Sequence, residues 1–554
     1  MHVSRQRITL LLLILLSTFL LLPLAGCGVS GDSAGTPDST GTALSSAPLA
    51  SSSSITSKEF NLNAHTGIKS FWTYDSNAIG GGGKAMANLW GGNFLLQYTD
   101  ISFPGRGLPV EIRRTYNSQF AYEGYFGKGW TSLFDSHLEI EQDRVILMDA
   151  YGGLFVFTNP QPSGGDTVYV APAGRNTIFT RRADGTFTEK KKNSSTYHFD
   201  NAGKLVRIQH RNTNNYLLLT YNKKGYPTGI QEASGRTTAV VCHGSHIKSI
   251  TDPEGRSTTY RFKGDCLSGV TDPDGNETAF DYNRQDLLTT IQSPRAFEST
   301  RGASFLTKLM KAPSTRFIHT VSYDTFQRVS AYQDPLYTVN YQYTDQDTIV
   351  TDSYNHHLVY QFNDYGNLIH AEDTLGSPTT FEWDDAMNIL SVKNAKDQET
   401  HFTYDERGNV LTSSNALYTL HYAYDSHNNL ISHTDGKAGV TSCTYAEKPT
   451  DPEGVLESVT TPASRTVSFS YNDYAEPVAV INARGLTTRY AFDPQGNITA
   501  ITDANNKMGI FAQNREKYGR AYQGYNSTYF RSAFISNPHW GRPRNAAFSG
   551  AHSG

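Results

Sequence analysis

Two aromatic residues separated by one position recur along most of this 554-residue chain, at intervals close to 21 residues. In the clearest copies an Asp and a Gly-Asn pair follow the rings, as in the segments 402–409 (FTYDERGN) and 490–497 (YAFDPQGN). A fixed period of this length indicates a stacked repeat architecture, in which each unit buries its apolar face only against its neighbours. We therefore expect an extended surface or an enclosure rather than a compact pocket with a catalytic cluster.

Each repeat is predicted to form one β-hairpin. Residues i and i+2 of a strand project to the same face, so the two rings of a dyad point to one side of the sheet. The Asp-x-x-Gly segment that follows is typical of a tight turn, because Asp accepts nearby backbone hydrogen bonds and Gly adopts positive φ. The segments Asp252–Gly255 and Asp272–Gly275 predict turns at the opposite edge. A single hairpin is at best marginally stable in water, so consecutive hairpins must share strands and cover each other's rings.

The predicted fold class is therefore all-β, and the aromatic dyads are assigned the structural role of holding the sheet together. The full dyads are Tyr197/Phe199, Tyr260/Phe262, Phe280/Tyr282, Tyr360/Phe362, Phe381/Trp383, Phe402/Tyr404, Tyr422/Tyr424, Phe469/Tyr471 and Tyr490/Phe492. Two weaker copies have an aliphatic first member, namely Leu219/Tyr221 and Val321/Tyr323. Four intervals between copies are close to twice the repeat, which indicates degenerate copies hidden inside them.

The chain begins with the features of a targeting signal. Arg5 and Arg7 precede an apolar run from Ile8 to Leu22, which is typical of a signal peptide and short for a membrane span. The sequence Leu24-Ala25-Gly26-Cys27 that follows resembles the lipobox of bacterial lipoproteins. We therefore predict a signal peptide over residues 1–26 and lipidation of Cys27, which would make this an extracytoplasmic, membrane-anchored lipoprotein at the cell surface or outer membrane. An ordinary secretory signal and a short transmembrane anchor are the alternatives.

Composition divides the rest of the chain into four segments. Residues 27–57 form a predicted disordered tether, because 14 of the 28 residues from Ser30 onward are Ser or Thr and none of them is aromatic or basic, which prevents the formation of a core. Residues 58–192 have strand and turn signals without the repeat and predict a small antiparallel β domain. The repeats occupy residues 193–505. Residues 506–554 form a variable tail with seven basic residues against one acidic residue, read as disordered or partly docked, or alternatively as the remnant of a nuclease toxin.

The charge and the titratable residues argue against several classes of function. A net charge of −4 provides no basic field for nucleic acid. Four cysteines are too few for a disulfide scaffold in a chain of this length. Either Cys242 pairs with Cys266, or these two residues and Cys443 all remain thiols. The spacing of residues 242–246 and Cys266 fits no standard zinc finger, and the acidic segment 272–277 reads as a turn rather than a calcium loop. We therefore predict no enzymatic activity and no catalytic, cofactor-binding or metal-binding residues.

The repeats resemble those of the Rhs/YD-repeat family, which takes its name from the Tyr-Asp pair kept at Tyr323-Asp324, Tyr404-Asp405 and Tyr424-Asp425. The family includes bacterial Rhs proteins, wall-associated proteins, shell-forming subunits of insecticidal toxin complexes, and teneurins. The chain is also similar to the domain that commonly precedes such repeats. The matching segments are Gly91-Gly92-Asn93-Phe94, Thr99-Asp100-Ile101, Pro104-Gly105-Arg106-Gly107, Arg114-Thr115-Tyr116-Asn117-Ser118 and Phe126-Gly127-Lys128-Gly129-Trp130.

This resemblance implies a continuous β-sheet that coils into a hollow shell, which encloses a toxin or presents a surface for adhesion. About ten repeats suffice for a curved sheet or a partial spiral shell, and the chain has neither the core segment at which complete Rhs shells cleave themselves nor a downstream domain of toxin size. We therefore expect a C-terminally truncated, non-catalytic, surface-anchored protein. Its expected role is adhesion, contact-dependent competition or scaffolding of a polypeptide.

The expected partners follow from this interpretation. They are the membrane, through the N-terminal lipid, and either a protein cargo or a cell-surface carbohydrate. Two alternatives remain at this stage. One is a carbohydrate- or cell-wall-binding repeat protein, whose rings would be exposed in a groove, and the other is a truncated polymorphic toxin with a nuclease-like tail.

Overall fold

The computed structural model describes residues 65–293, 318–345 and 347–510. Within these ranges the protein is built of 42 β-strands and a single 3₁₀ turn at Leu133–Asp135. The predicted all-β fold class is confirmed. None of the described segments is a helix with the length and apolar composition that a membrane crossing requires.

The first strands form a small five-stranded antiparallel sheet, which we call the N-terminal sheet. Its strand order is β1-β2-β3-β4-β7, and a two-stranded hairpin, β5–β6, lies beside it. The bounds are β1 Tyr74–Ile79, β2 Gly83–Asn88, β3 Phe94–Phe103, β4 Val110–Asn117, β5 Glu123–Gly124, β6 Gly127–Lys128 and β7 Trp130–Ser132. The glycines at 81 and 82 form the turn between β1 and β2.

All later strands belong to one long antiparallel sheet, in which each strand pairs with the next along the chain. Its first half contains β8 His137–Ile140, β9 Val145–Met148, β10 Leu154–Ser163, β11 Asp166–Val170, β12 Thr177–Arg181, β13 Phe187–Lys191, β14 Thr196–Phe199, β15 Leu205–Gln209, β16 Tyr216–Tyr221, β17 Pro227–Glu232, β18 Thr237–His243, β19 His246–Thr251, β20 Ser257–Lys263, β21 Cys266–Thr271, β22 Glu277–Tyr282, β23 Leu288–Gln292, β24 Ile318–Tyr323 and β25 Val329–Gln333. Its second half contains β26 Thr338–Tyr343, β27 Asp347–Asp352, β28 His357–Phe362, β29 Leu368–Glu372, β30 Pro378–Trp383, β31 Ile389–Lys393, β32 Glu399–Tyr404, β33 Val410–Asn415, β34 Thr419–Tyr424, β35 Leu430–Thr434, β36 Val440–Lys448, β37 Asp451–Thr460, β38 Thr466–Tyr471, β39 Pro477–Ile481, β40 Thr487–Phe492, β41 Ile498–Thr502 and β42 Met508–Ile510.

The long sheet begins well before the first aromatic dyad. Its first strand is β8, so residues 137–191 share the sheet with the repeats, whereas the sequence predicts a separate β domain over residues 58–192. These early strands lack the dyad, yet they pair by the same antiparallel ladder as the later ones. The sheet is therefore continuous across residue 192, and the N-terminal sheet proper ends at Ser132.

Every dyad strand forms a hairpin with the strand after it, as predicted. The ladder shifts register at the second ring in these hairpins, for example between Thr403 and Tyr404, so the partner strand carries an extra residue. Such bulges bend a strand and increase its twist. Three of the four long intervals contain a further hairpin with a degenerate or additional copy of the dyad, at Val240/Cys242, Tyr341/Tyr343 and Cys443/Tyr445. The fourth interval contains residues 294–317, which lie outside the described residues.

The turn after most dyads is held by the side chain of the Asp or Asn that follows the second ring. The carboxylate of Asp405 accepts hydrogen bonds from the backbone N–H groups of Arg407 and Asn409 and from the Asn409 amide, at 2.7–3.0 Å. Gly408 has a φ of 65°, a conformation that costs glycine little. The same arrangement recurs at Asp272, whose carboxylate binds Asn276, so this acidic segment is a turn of the same kind.

The sheet winds into a spiral whose successive windings contact each other through their turns. The Lys192 ammonium, in the β13–β14 turn, donates to the carbonyl of Gly408 at 3.1 Å. The Asn215 amide, before β16, donates to the carbonyl of Tyr474 at 2.9 Å. These partners lie roughly 20 strands further along the sheet. A β-bridge between His137 of β8 and Lys204 also joins the start of the sheet to a later part of it. The predicted curved sheet or partial spiral is therefore confirmed.

Replacing Asp405 with Ala should lower the free energy of unfolding by about 1–3 kcal/mol, because three donors of the turn lose their acceptor. Glu406→Ala is the matched control, since its side chain is exposed in the same turn and should change the free energy by less than about 0.5 kcal/mol. Urea unfolding together with hydrogen exchange of residues 402–412 measures both. Equal effects of the two substitutions would contradict the assigned role of the Asp carboxylate.

Candidate interaction site on the inner face of the sheet

The first ring of each dyad points to one face of the long sheet, which we call the inner face, and is buried there through the middle of the chain. Phe280 is only 2% exposed. Tyr260, Phe381, Phe402 and Tyr422 are also buried. The second rings, Phe262, Tyr282, Trp383, Tyr404 and Tyr424, are half-buried. These rings therefore form a packed core.

The second ring also connects its hairpin to the preceding one. The Tyr404 hydroxyl donates to the carbonyl of Ile389 at 2.8 Å, and the Tyr282 hydroxyl donates to that of Leu267 at 2.9 Å. The Trp383 indole N–H makes the equivalent bond to Leu368. Each acceptor faces the second ring of the previous hairpin, where the bulge has disturbed the ladder. Burial raises the pKa of the Tyr404 and Tyr282 hydroxyls, which keeps them protonated as donors.

The N-terminal sheet packs directly on these rings. The Phe126 ring lies 4.9 Å from Tyr260, and the Trp130 ring lies 5.4 Å from Phe280, both edge to face. The Trp130 indole N–H donates to the Tyr282 hydroxyl at 2.9 Å. The N-terminal sheet therefore covers the inner face at β20 and β22.

Contacts further along show that the long sheet curves around this small sheet. The Tyr341 hydroxyl in β26 donates to Asp75 at 2.7 Å, and the Thr348 hydroxyl in β27 donates to the carbonyl of Leu89 at 2.6 Å. The Trp72 indole N–H reaches the carbonyl of Tyr365 after β28. Strands in a sheet are about 4.8 Å apart, so a flat sheet would hold β20 and β28 too far apart for one five-stranded sheet to contact both.

A buried ion pair lies at the centre of this contact. The Arg114 guanidinium donates to Asp100 at 2.7 Å, and the two side chains are only 1% and 5% exposed. The Tyr260 hydroxyl donates to the same carboxylate oxygen at 2.9 Å. The rings of Trp130 and Phe280 lie about 5 Å from the guanidinium carbon, in the range of cation–π attraction. Burial raises the pKa of the Tyr260 hydroxyl.

A loop of the N-terminal sheet connects two windings of the spiral. The backbone N–H of Arg106 donates to Glu232, in the first winding, at 3.0 Å. Its guanidinium donates twice to Glu476, in the second winding, at 3.0–3.1 Å, and lies 3.3 Å from the centre of the Tyr474 ring. Such bidentate contacts are among the stronger hydrogen bonds. The segment at 104–107 therefore sets the spacing between the windings.

The inner face becomes less covered toward the end of the described chain. No residue of β39 or β41 is buried, and the first ring Tyr490 is half-buried where the earlier first rings are buried. The register places only uncharged residues on this part of the inner face. In β38–β41 they are Val467, Phe469, Tyr471, Pro477, Val480, Thr488, Tyr490, Phe492, Ile498 and Ile501. This partly covered apolar surface is the candidate interaction site.

Three of the four cysteines lie within the described residues. Cys27, the tether and residues 511–554 lie outside the described residues, so the predicted lipidation stays a prediction. Cys242, Cys266 and Cys443 form no disulfide in the described part of the chain. Burial raises the pKa of the Cys242 and Cys266 thiols to about 11, which keeps both protonated at neutral pH.

Two family models match the chain. Residues 87–157 match a domain of unknown function, DUF6531, and residues 379–537 match the Teneurin YD-shell model. The first match begins in the N-terminal sheet and ends in β10, and the second begins in β30. The two matches occur in the order that the sequence resemblance implies.

Curated relatives cover only part of the chain. The chain is 26% identical to "tRNA nuclease WapA" of Bacillus subtilis (strain 168) over 179 residues, which are 32% of this chain and 8% of that protein. It is 27% identical to "tRNA3(Ser)-specific nuclease WapA" of Bacillus spizizenii over 183 residues, 33% of this chain and 8% of that protein. The chain therefore spans less than a tenth of the length of these relatives, and the nuclease activities are those of the named proteins.

Solved structures to which this chain is similar include toxin complexes. A crystal structure of TcdB2-TccC3-Cdc42 matches with a TM-score of 0.41 and 10% identity, over 77% of this chain and 26% of that one. A Photorhabdus luminescens Tc holotoxin pore matches with a TM-score of 0.39 and 11% identity, over 76% of this chain and 28% of that one.

Replacing Arg114 with Met should destabilise the contact between the two sheets by about 3–5 kcal/mol, because Asp100 would keep a buried charge without its partner. Arg113→Met is the matched control, since Arg113 is adjacent but 37% exposed and pairs with an exposed Glu111, an interaction typically worth about 0–1 kcal/mol. Urea unfolding followed by tryptophan fluorescence reports on Trp130 in the contact. Similar losses for both variants would show that the buried pair has no special role.

Proposed function

Because this chain is an Rhs/YD-repeat protein, we propose that it is a non-catalytic scaffold that holds a polypeptide against the inner face of its spiral sheet. In this proposal the lipid on Cys27 anchors the scaffold outside the cytoplasm. The scaffold serves contact with another cell, through either adhesion or contact-dependent competition, and the polypeptide on the inner face is the active component.

One observation carries this proposal. The inner face already holds a polypeptide over β20–β28, since the N-terminal sheet fills it there with rings, hydrogen bonds and a buried ion pair. Over β38–β41 the same kind of face is apolar and only partly covered. Apolar area that remains accessible on a folded protein is typical of a binding surface. A polypeptide is the occupant that matches the covered part in chemistry.

The burial of the dyads favours this function over carbohydrate binding. Sugar-binding repeats need exposed rings that stack on the ligand, whereas Tyr260, Phe280, Phe381 and Phe402 are buried in the core. The chain also contains only five Trp residues. The half-exposed rings Tyr490 and Phe492 leave room for contact with a ligand at the end of the described sheet, so a pull-down on peptidoglycan is a useful control.

The lack of catalysis is part of the proposal. The relatives named as nucleases match about a third of this chain, and a nuclease-like tail in residues 506–554 is the competing interpretation. Expression of residues 507–554 in the cytoplasm separates the two, because a nuclease tail would inhibit growth.

A photo-crosslinking residue at Tyr490, on the inner face, should form adducts with peptide. The same residue at Ala491 should form none, because the side chain at 491 points to the opposite, exposed face of the same strand. Mass spectrometry of the full chain, isolated from its native membrane, identifies the adducts. Equal labelling from the two positions, or adducts with polysaccharide alone, would refute the scaffold function.

Cys27→Ser should abolish the incorporation of labelled fatty acid and release the protein from the membrane fraction, because the thiol is the attachment atom in the predicted lipidation. Cys443→Ser is the control, since this buried thiol lies in the sheet and should leave labelling unchanged. Fatty-acid labelling that persists in Cys27→Ser would exclude this anchor.

A further inference from the structure

We propose that Glu123, His246 and Asp265 form a binding site for a divalent metal ion, at the junction between the β5–β6 hairpin and the long sheet. Each residue offers one ligand atom, and the three atoms lie within 4.8 Å of one another. Glu123 belongs to β5, His246 begins β19, and Asp265 lies in the turn between β20 and β21. The site therefore joins three separate elements, and its role would be to attach the N-terminal region to the spiral.

Backbone contacts hold these elements in place without a metal. The backbone N–H of Lys128, which pairs with Glu123 across the hairpin, donates to the carbonyl of Asp265 at 2.9 Å. The backbone N–H of Ile247, next to His246, donates to the carbonyl of Tyr125 at 2.8 Å. The approach is so close that a Cβ at Gly127 would lie 2.3 Å from the carbonyl oxygen of Asp265. The three side chains consequently start from fixed backbone positions, as a preformed site requires.

The surroundings of His246 point to a ligand. Its ring stacks on Phe262, with centroids 4.5 Å apart and an interplanar angle of 11°, which fixes the plane of the imidazole. Its Nε2 lies 3.3 Å from a carboxylate oxygen of Glu123, but this buried nitrogen has no hydrogen bond of acceptable geometry to any described residue. A buried ring nitrogen without a hydrogen bond is costly, and a metal ion between it and the carboxylates would satisfy it.

The charges also favour a cation. Two carboxylates converge here, and like charges this close repel each other. The Lys128 ammonium does not neutralise them, because it binds Asp286 at 2.7 Å. One imidazole and two carboxylates are a ligand set that suits Zn²⁺ and similar divalent metals.

The geometry requires only small movements. Zn²⁺ binds nitrogen and oxygen at about 2.0–2.2 Å in tetrahedral sites, which places neighbouring ligand atoms about 3.4 Å apart. The Nε2 of His246 and the oxygen of Glu123 already have this separation. The largest separation, at most 4.8 Å, would close by rotation of Glu123 or Asp265, since both side chains are exposed at the junction.

Equilibrium dialysis of the purified full chain against Zn²⁺, with elemental analysis, tests this site. We expect His246→Ala to bind one equivalent of Zn²⁺ fewer than the unmodified chain, or to bind it with an affinity at least tenfold lower. His243→Ala is the matched control, because His243 is exposed on the other strand of the same turn and should bind as the unmodified chain does. Glu123→Gln, an exposed and nearly isosteric change, should weaken binding similarly without disturbing the fold.

Thermal unfolding supplies an independent readout. Zn²⁺ should raise the melting temperature of the unmodified chain and of His243→Ala, because a ligand that binds only the folded state stabilises it. The melting temperature of Glu123→Gln should stay the same when Zn²⁺ is added. The proposal is overturned if the unmodified chain binds no zinc at this stoichiometry. It is equally overturned if His246→Ala and Glu123→Gln retain both the binding and the thermal shift. Neither result bears on the scaffold function, which the crosslinking at Tyr490 tests.

Discussion

The structure depends on a connection between consecutive hairpins that six of the second dyad rings make, namely Tyr221, Tyr282, Tyr323, Trp383, Tyr404 and Tyr445. A bulge disturbs the ladder at the second ring of most dyad strands, and at these six connections the carbonyl left there accepts a hydrogen bond from the ring of the following hairpin. A hairpin connected in this way is completed by the next one. Because a buried carbonyl without a partner is costly, this bond explains why a hydroxyl or an indole N–H is useful at that position. Tyr445 makes the same bond to Leu430, although its own dyad begins with a cysteine.

The same bulges make the enclosure possible. They increase the twist of the sheet at regular intervals, so a sheet of 35 strands curves and contacts its own earlier turns. The N-terminal sheet then acts as an internal template. It provides rings for the inner face and a buried ion pair, and Arg106 spans two windings through Glu232 and Glu476. Each repeat is therefore stabilised by its neighbours and also by the N-terminal sheet, whereas the repeats of a linear array contact only their neighbours.

The unequal coverage of the inner face connects the fold to its proposed role. Where the N-terminal sheet ends, the dyads change from buried rings such as Phe280 to half-exposed rings such as Tyr490. The covered part of the inner face over β20–β28 stabilises the spiral, and in the proposed function the partly covered part over β38–β41 receives a second polypeptide. A metal ion at Glu123, His246 and Asp265 would reinforce the edge of the covered part, where the hairpin of the N-terminal region meets two tight turns.

Local spacing made the hairpins predictable. The two-residue separation of the rings and the Asp-x-x-Gly turns are short-range constraints, so β-strands, turns and the shared face follow from the residues themselves. The aromatic pattern does not identify the copy at Cys443/Tyr445, because a cysteine replaces the first ring. The set of predicted dyads also lacks Tyr341/Tyr343, although this copy keeps both rings. The strands at 137–191 gave no signal of sheet membership, because backbone ladders do not require a particular side chain.

The amino-acid sequence by itself determined that this chain forms repeated hairpins whose paired rings share one face. Only the tertiary structure decided what covers that face. The contact of Arg114 and Asp100 with Tyr260 joins residues 160 positions apart, and that of Arg106 with Glu476 joins residues 370 apart. Contacts over such distances leave no periodic trace in a sequence, because they depend on the curvature that many bulges produce together.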